Sequence, residues 1–124
     1  ITELVEGIAI TKRFEIKAEL AVLENIEVSQ EIHVGIYRIM QEQLTNILKH
    51  SEALEVQILF EVKDANLFMK IKDNGKGFDT KEKRKGIGIS NMIMRAESID
   101  GKLYINSTPG SGCSLVAMFP VKVV

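Results

Sequence analysis

The sequence is poor in cysteine, proline and aromatic residues: its 124 residues include one cysteine, two prolines and no tryptophan. The lone Cys113 cannot form an internal disulfide, which excludes a disulfide-stapled scaffold and fits a reducing compartment. No apolar run approaches the roughly 20 residues that a membrane-spanning helix needs. We therefore expect a soluble, cytoplasmic chain with no direct membrane contact.

Charge of neither sign is in excess, because 16 Lys and Arg residues face 17 Asp and Glu residues, for a formal net charge of -1. This balance excludes the basic surface typical of nucleic-acid-binding domains, so no nucleic-acid partner is expected. Hydrophobic residues make up 45% and charged residues 27%, as in ordinary globular domains. We expect residues 1–124 to form a single domain and, because the chain starts at Ile1, to be a fragment of a longer protein.

The spacing of hydrophobic residues predicts the order strand, helix, two strands, helix, two strands. Ser29 is a candidate N-cap of the first helix, whose apolar stripe starts at Ile32. The turn of a hairpin is supplied by Asp64, Ala65 and Asn66. The predicted strands cover residues 8–18, 54–62, 67–73, 102–106 and 113–119, and the predicted helices cover 29–50 and 89–99. Helices segregated from such strands indicate an α+β fold, a two-layer α/β sandwich. Its mixed, mostly antiparallel sheet would be covered by helices on one face and open to water on the other.

A few side chains are expected only to pack in the core. Alternation places Leu54 and Phe60 on one face of the hairpin, and Phe60 is expected to pack. Tyr37 and Phe14 fall on apolar stripes of their elements. Cys113 lies in an apolar strand, so we expect a small buried hydrophobic residue rather than a nucleophile.

One face of the first predicted helix carries polar residues suited to a cation. Glu42 and Asn46 are four residues apart, as are Asn46 and His50, and Lys49 follows Asn46 by three, so all four share a face. Side-chain oxygens from Asn and Glu are ligands that Mg²⁺ accepts. Taken alone, however, this segment favours the simpler interpretation of a solvated polar face.

The segment Asp73-Asn74-Gly75-Lys76-Gly77-Phe78 directly follows the predicted hairpin. A carboxylate at a strand end can accept a hydrogen bond from an exocyclic amine such as that of adenine. Glycines at positions 75 and 77 would allow the backbone to approach a flat ligand closely. The alternative is a plain glycine-rich turn.

Gly86 and Gly88 stand at the start of the second predicted helix. Glycines there leave backbone N–H groups and the helix dipole available to phosphate oxygens. The segment lacks the preceding strand of a dinucleotide-binding fingerprint and the Gly-Lys-Ser/Thr of a Walker motif. A helix N-terminus with a flexible entry explains it equally well.

Together, the three segments resemble the ATP-binding domain of sensor histidine kinases, in the superfamily shared with gyrase, Hsp90 and MutL. They are similar to its N box, G1 box and G2 box, and Tyr37 to His50 is similar to the N box of the subfamily that partners LuxR-type response regulators. The segment from Pro109 to Pro120 looks like the closing strands of the family. The resemblance implies a Bergerat-type fold that binds ATP and Mg²⁺.

The resemblance implies roles for the helical face near the phosphates. Asn46 would coordinate Mg²⁺ that bridges the ATP phosphates. Glu42 would polarise or deprotonate the incoming phosphoacceptor. Lys49 and His50 would lie near the phosphates.

The resemblance also implies an adenine pocket. Asp73 would accept from the adenine amino group, and Gly75 and Gly77 would let the base settle. Ser114 is matched to the hydroxyl position that supports the contact between Asp73 and adenine, where the family more often has threonine.

The implied ATP lid covers residues 79–85 and is short and rich in lysine. Its lysines could attract nucleotide phosphates, although a mobile charged loop needs no such role. Gly86 and Gly88 would end this lid and offer N–H groups to phosphate.

In sensor histidine kinases the phosphate goes to a histidine on a dimerising helical hairpin of the same protein, and then to a response regulator, here expected to be of the LuxR type. Neither His33 nor His50 is preceded by a second long helix that could build such a hairpin. We therefore expect this chain to bind nucleotide, to accept no phosphate by itself and to be a monomer.

Three alternatives share the same boxes. A serine/threonine kinase of the anti-sigma-factor type would phosphorylate a partner protein, but the long match from Tyr37 to His50 argues against it. A nucleotide-free interaction scaffold would not need the intact Asp73 and glycines. A gyrase- or MutL-like ATPase is the least favoured, because those enzymes need partner domains and longer lids.

Overall fold

The computed structural model describes residues 15–77 and 88–123, in which helices pack on one side of a five-stranded sheet. The strands are β1 (Glu15–Glu19), β2 (Ile26–Glu27), β3 (Glu55–Lys63), β4 (Asn66–Asp73), β5 (Lys102–Ser107), β6 (Cys113–Pro120) and β7 (Lys122–Val123). The α-helices are α1 (Gln30–Asn46) and α2 (Ile89–Glu97). A 3₁₀ turn over Ala21–Asn25 precedes β2, and a π-helical turn over Ile47–Ser51 continues α1.

The five-stranded sheet has the order β1-β3-β4-β6-β5. Strand β1 runs parallel to β3, the other neighbours are antiparallel, and β2 and β7 form a separate two-stranded ribbon. Buried and more exposed side chains alternate along β3, β4 and β6, because successive side chains point to opposite faces of a sheet. The expected α+β sandwich with a mixed, mostly antiparallel sheet is confirmed.

The core is one cluster of apolar side chains that joins α1 and α2 to the covered face of the sheet. Each large side chain buried in this way contributes about 1.5 to 3 kcal/mol to folding. The largest fully buried side chains are Ile39, Met40, Leu44, Val56, Ile58, Leu67, Met69, Ile71, Met92, Leu115 and Phe119. Within the described residues, no helix combines the length and apolarity needed to cross a bilayer.

Helix α1 begins as its sequence predicts. Ser29 has an extended backbone, and its hydroxyl accepts a hydrogen bond from the Ile32 N–H at 3.1 Å, which satisfies one of the free donors of the first turn. The helical run also ends close to the predicted position, but its last turn is π-helical and stops at Glu52, whose φ of 55° is left-handed. Hydrophobic spacing cannot distinguish an α turn from a π turn, so this difference has no sequence signal.

The central hairpin forms at the predicted turn. Asp64 and Ala65 have φ values of 52° and 62°, and Lys63 pairs with Asn66, so the connection is a two-residue loop with both residues left-handed. Such a loop matches the right-handed twist of the two strands. The predicted first strand is observed over Glu15–Glu19, and residues 8–14 of that prediction lie outside the described residues.

The predicted place of Leu54 in the alternating strand and the predicted packing of Tyr37 are both wrong. Leu54 is 76% exposed, because β3 begins only at Glu55 and the alternation of the strand does not extend back to position 54. Tyr37 is 37% exposed, since it lies beside the apolar stripe of α1 rather than in it. Phe60 and Cys113 are buried as predicted, whereas Phe14 lies outside the described residues.

Candidate functional site

Four polar side chains are buried among the described residues, in a core that is otherwise apolar. Asp73 ends β4 and Ser107 ends β5, and both pair with Cys113 at the start of β6, so the three form one row across the sheet. The other two, Gln43 and Asn46, come from α1. The Gln43 amide donates to the Cys113 sulfur at 3.7 Å and so joins α1 to this row. The polar groups therefore gather at one end of the sandwich, between the helix layer and the sheet.

Asp73 is held at the strand end by its own loop. It is 3% exposed, and its Oδ1 accepts a hydrogen bond from the Gly75 N–H at 2.8 Å. The next residue, Asn74, anchors the loop to the start of β3, because its Oδ1 accepts from the N–H groups of Leu54 and Glu55, each at 2.9 Å. The loop thus fixes one oxygen of a buried carboxylate, an arrangement suited to accepting a hydrogen bond from a ligand.

Gly77 lies against a second loop of the chain, residues 108–112. Its φ is 64°, and a Cβ there would collide with the Thr108 carbonyl and lie 2.8 Å from the Gly112 carbonyl oxygen. A hydrogen bond of 2.5 Å from the Gly110 N–H to the Lys76 carbonyl joins the same two loops. The glycine at position 77 is therefore required for contact between the loops, whatever its effect on a ligand.

Ser114 does not reach Asp73, contrary to the sequence prediction. The strand register pairs Ser114 with Lys72 and pairs Cys113 with Asp73. Because side chains alternate along a strand, Ser114 points to the open face of the sheet, whereas Cys113 is buried beside Asp73. The position facing the carboxylate is therefore occupied by a thiol.

The Cys113 thiol is protonated at neutral pH. Its burial and, to a smaller extent, the nearby charge of Asp73 raise the pKa of Cys113 to about 11. Hydrogen bonds with Gln43 and Ser107 lower the pKa of Cys113 but do not offset these effects. This thiol is therefore a hydrogen-bonding group rather than a nucleophile.

Glu42 and Gly88 meet where α1 approaches the start of α2. A Cβ on Gly88 would lie 2.6 Å from Oε1 of Glu42, and Gly88 has a left-handed φ of 66°. Because Gly88 has no side chain to cap α2, the first N–H groups of this helix receive no side-chain cap. The fold thus places a carboxylate at the positive end of a helix dipole.

The remaining predicted residues differ in how the structure places them. Asn46 is 8% exposed at the end of α1, so a solvated face, the simpler interpretation of this segment, is wrong for it. Lys49 is exposed on the π turn that follows. Gly86, the lid over 79–85 and the side chain of His50 lie outside the described residues.

The sequence did not lead us to predict Gln43 or Cys113 as residues of the site. The signal for Cys113 was present, since counting alternate positions along β6 from the buried Phe119 gives 117, 115 and 113 on the buried face. Gln43 has a weaker signal: it is a polar residue four positions before the buried Ile47 and four after the buried Ile39.

We expect the substitution Gly112→Ala to lower the free energy of unfolding by about 3 kcal/mol. The left-handed φ of 70° would cost about 1 kcal/mol in alanine, and the new Cβ would collide with the Asp73 carbonyl, which cannot move as a side chain could. Gly110→Ala is the matched control, because Gly110 has a φ of 83° but nothing within 4 Å of a Cβ. This control should lose only about 1 kcal/mol. Urea unfolding measures both, and equal losses would contradict the close contact between Gly112 and Asp73.

The chain matches the profile of the family described as histidine kinase-, DNA gyrase B- and HSP90-like ATPases over residues 31–123. It is 34% identical over 104 residues to the signal transduction histidine-protein kinase/phosphatase DegS of Bacillus subtilis strain 168, which covers 81% of this chain and 27% of DegS. It is 35% identical over 100 residues to the sensor protein VraS of Staphylococcus aureus strain COL, which covers 80% of this chain and 29% of VraS. The chain thus spans less than a third of the length of these relatives.

The fold is similar to a solved structure with a more distant sequence. It matches the blue-light activated histidine kinase EL346 of Erythrobacter litoralis with a TM-score of 0.75 and 18% sequence identity, over 96% of this chain and 40% of that one. The family profile spans all four buried polar residues of the site, together with Cys113 and Gly88. From the match to the family profile and the identity to these relatives, the chain belongs to the family of histidine kinase-, DNA gyrase B- and HSP90-like ATPases.

Proposed function

We propose that this chain is the ATP-binding catalytic domain of a sensor histidine kinase. It binds Mg²⁺ and ATP and donates the γ-phosphate to a histidine on a separate helical hairpin of the full-length protein. The observation that carries this proposal is the buried Asp73 carboxylate at the end of β4, joined to α1 through Gln43 and Cys113. The names of DegS and VraS, a histidine kinase/phosphatase and a sensor protein, support the signalling role.

Asp73 recognises adenine in this proposal. The carboxylate accepts a hydrogen bond from the exocyclic amine of the base, and such a bond to a charged group is stronger than one between neutral groups. The Gly75 N–H already holds Oδ1, so the carboxylate does not have to be ordered when the base arrives.

Asn46 and the start of α2 hold the phosphates. The described residues contain no group of three His, Cys, Asp or Glu side chains that could hold a metal ion. Asn46 would hold a bound magnesium ion through its side-chain oxygen, and Mg²⁺ in nucleotide sites usually takes only one or two ligands from the protein. When bound, Mg²⁺ neutralises charge on the phosphates. Lys49 adds a positive charge, and the N–H groups after Gly88 add donors.

Glu42 acts on the phosphoacceptor. A nitrogen of the acceptor histidine attacks the γ-phosphorus, the bond from that phosphorus to the bridging oxygen breaks, and ADP leaves. The proton on the attacking imidazole passes to the Glu42 carboxylate. The phosphate then moves from the histidine to a response regulator, which we propose to be of the LuxR type.

The first test is thermal unfolding of the 124-residue chain with a non-hydrolysable ATP analogue, with and without Mg²⁺. At a hundredfold excess over Kd, binding adds about 2.7 kcal/mol of stability. For a domain of this size we expect Tm to rise by roughly 3 to 6 °C, and to rise more with Mg²⁺ than without. No shift at millimolar nucleotide would contradict the proposal and favour an interaction scaffold.

A further inference from the structure

One row of α1 side chains leads from the proposed phosphate site to the surface of the helix. Val34, Arg38, Glu42 and Asn46 follow one another at four-residue steps. Each therefore lies about 6 Å along the axis from the last and about 40° further round the helix. Asn46 is 8% exposed, Glu42 is half-buried, Arg38 is exposed and Val34 is 38% exposed. A helix that brings a histidine to Glu42 can therefore lie along the row on the side of Arg38, where the row is open to solvent.

Apolar side chains border this exposed part of the row. Tyr37 is 37% exposed, and it comes three positions after Val34 and directly before Arg38. Residues three and four apart are neighbours on a helix surface, so Val34 and Tyr37 form one exposed apolar patch. Together with His33, Arg38 and Gln41 they line a shallow groove on the outer side of α1. Both side chains lie outside the core cluster, so their apolar surface is available to a partner.

Arg38 carries a charge that no carboxylate neutralises within the described part of the chain. Glu42 is the acidic residue one turn away, but the two ion pairs found within residues 15–77 and 88–123 both lie on the sheet and involve neither residue. The guanidinium of arginine presents its N–H donors in a planar fork that matches the two oxygens of a carboxylate. Arg38 is therefore free to pair with an acidic side chain of a partner, and Glu42 keeps its carboxylate for the acceptor.

We propose that Val34, Tyr37 and Arg38 form the docking surface for the helix that carries the acceptor histidine, and that Arg38 is a positioning residue that pairs with an acidic side chain of that helix. Because Arg38 lies one turn from Glu42, the paired carboxylate should lie about one turn from the histidine. The occupant is a segment of the full-length protein outside these 124 residues. The inference rests on the proposed function, because it assumes that Glu42 takes the proton of the acceptor.

The test separates docking from nucleotide binding in the full-length kinase. Arg38 lies about 12 Å along the helix axis from Asn46, so its replacement should leave the nucleotide contacts intact. We expect Arg38→Gln to lower the maximal rate of label transfer from ATP to histidine by about 10- to 100-fold, because a misplaced acceptor loses much of the benefit of orientation. The KM for ATP should stay within about twofold. Arg38→Lys keeps the charge but not the planar fork, so it should recover part of the rate.

Matched substitutions on the open face of the sheet control for the loss of an aromatic side chain and of a charge. Tyr37→Ser should slow transfer about tenfold, since it removes the apolar part of the docking surface. Tyr104→Ser removes an aromatic side chain that is 61% exposed on β5, and Lys102→Gln removes a positive charge from the same strand. Both should transfer label at the wild-type rate. All these side chains are exposed, so we expect every variant to fold with a Tm close to that of the wild type.

Charge exchange identifies the acidic partner. Arg38→Glu should transfer more slowly than Arg38→Gln, because two carboxylates would then face each other. Each Asp or Glu within about one turn of the acceptor histidine is then replaced by Lys in the Arg38→Glu kinase. One of these second substitutions should raise the transfer rate about tenfold over Arg38→Glu alone, as coupled partners do. Rescue by none of them would overturn the pairing.

The outcomes distinguish this inference from the proposed function. If the wild-type kinase labels a histidine, and Arg38→Gln and Tyr37→Ser do so at the same rate, the docking surface is overturned and the proposed function stands. A rise in the KM for ATP that accounts for the lost rate would also overturn it, since Arg38 would then act on the nucleotide. A wild-type kinase that labels no histidine would overturn the proposed function itself.

Discussion

Asp73→Asn is expected to weaken the binding of ADP and of ATP analogues about 100-fold, which corresponds to about 2.7 kcal/mol. Asparagine keeps an oxygen that can still accept from the Gly75 N–H, so the loop should keep its conformation. Its other polar group, however, is an NH₂ donor that would face the amine of adenine, and the negative charge is lost. The measurement is isothermal titration calorimetry on the 124-residue chain.

A matched variant makes this loss specific to the site. Asp100 is an exposed aspartate with a left-handed φ of 62°, a conformation that asparagine tolerates. Asp100→Asn changes the net charge of the chain by the same amount and should leave Kd within about twofold. If the two variants bind nucleotide equally well, Asp73 does not recognise the base.

Glu42→Gln is expected to slow phosphoryl transfer in the full-length kinase by about 100- to 10,000-fold, the usual contribution of a positioned general base. Glutamine has nearly the same shape and can occupy the same place beside Gly88, but it cannot take a proton. Nucleotide affinity should stay within about threefold, because Glu42 makes no proposed contact to the base. Transfer of radiolabel from ATP to the protein and calorimetric titration measure the two effects separately.

The control for this variant is Glu31→Gln, an exposed glutamate in the first turn of the same helix. It should leave the transfer rate near the wild-type value. If Glu42→Gln weakens nucleotide binding as much as Asp73→Asn does, the division of roles between the two carboxylates is wrong. The labelled product also tests the acceptor, since phosphohistidine is lost in acid and the phosphoserine expected of an anti-sigma-factor type kinase is not.

Much of the fold follows from local signals in the sequence. The hydroxyl of Ser29, the spacing of the apolar stripe of α1 and the turn at Asp64 and Ala65 each act over a few residues, so they can be recognised without knowing the tertiary structure. The exposure of Leu54 depends instead on where β3 begins, and strand boundaries are set by pairing with distant residues. The π turn after Asn46 likewise leaves the hydrophobic spacing unchanged.

The residues of the candidate site likewise fall into those that a local sequence signal reveals and those whose position depends on strand pairing. Asp73 and Gly88 are each ordinary at the end of an element, and they stand out only because the three segments occur in a recognisable order. Cys113 and Ser114 are adjacent, and only the register between β4 and β6 decides which of them faces Asp73. A shift of one residue along a strand turns every side chain to the other face, so an error of one position in a motif match gives the wrong side of the sheet.

The parallel pairing of β1 with β3 has a consequence for how the domain assembles. The hairpin of β3 and β4 and the pairing of β5 with β6 join residues close in the chain, whereas β1 can pair with β3 only after the chain has passed through α1. Contacts between residues far apart in sequence form late, because closing a long loop costs conformational entropy. The pairing of Asp73 with Cys113 likewise joins strands on either side of the second helix, so it too is a contact between residues far apart in the chain. The two pairings that flank the central hairpin, of β1 with β3 and of β4 with β6, should therefore complete the sheet after the local hairpins have formed, and the buried carboxylate gains its place beside Cys113 only at that stage.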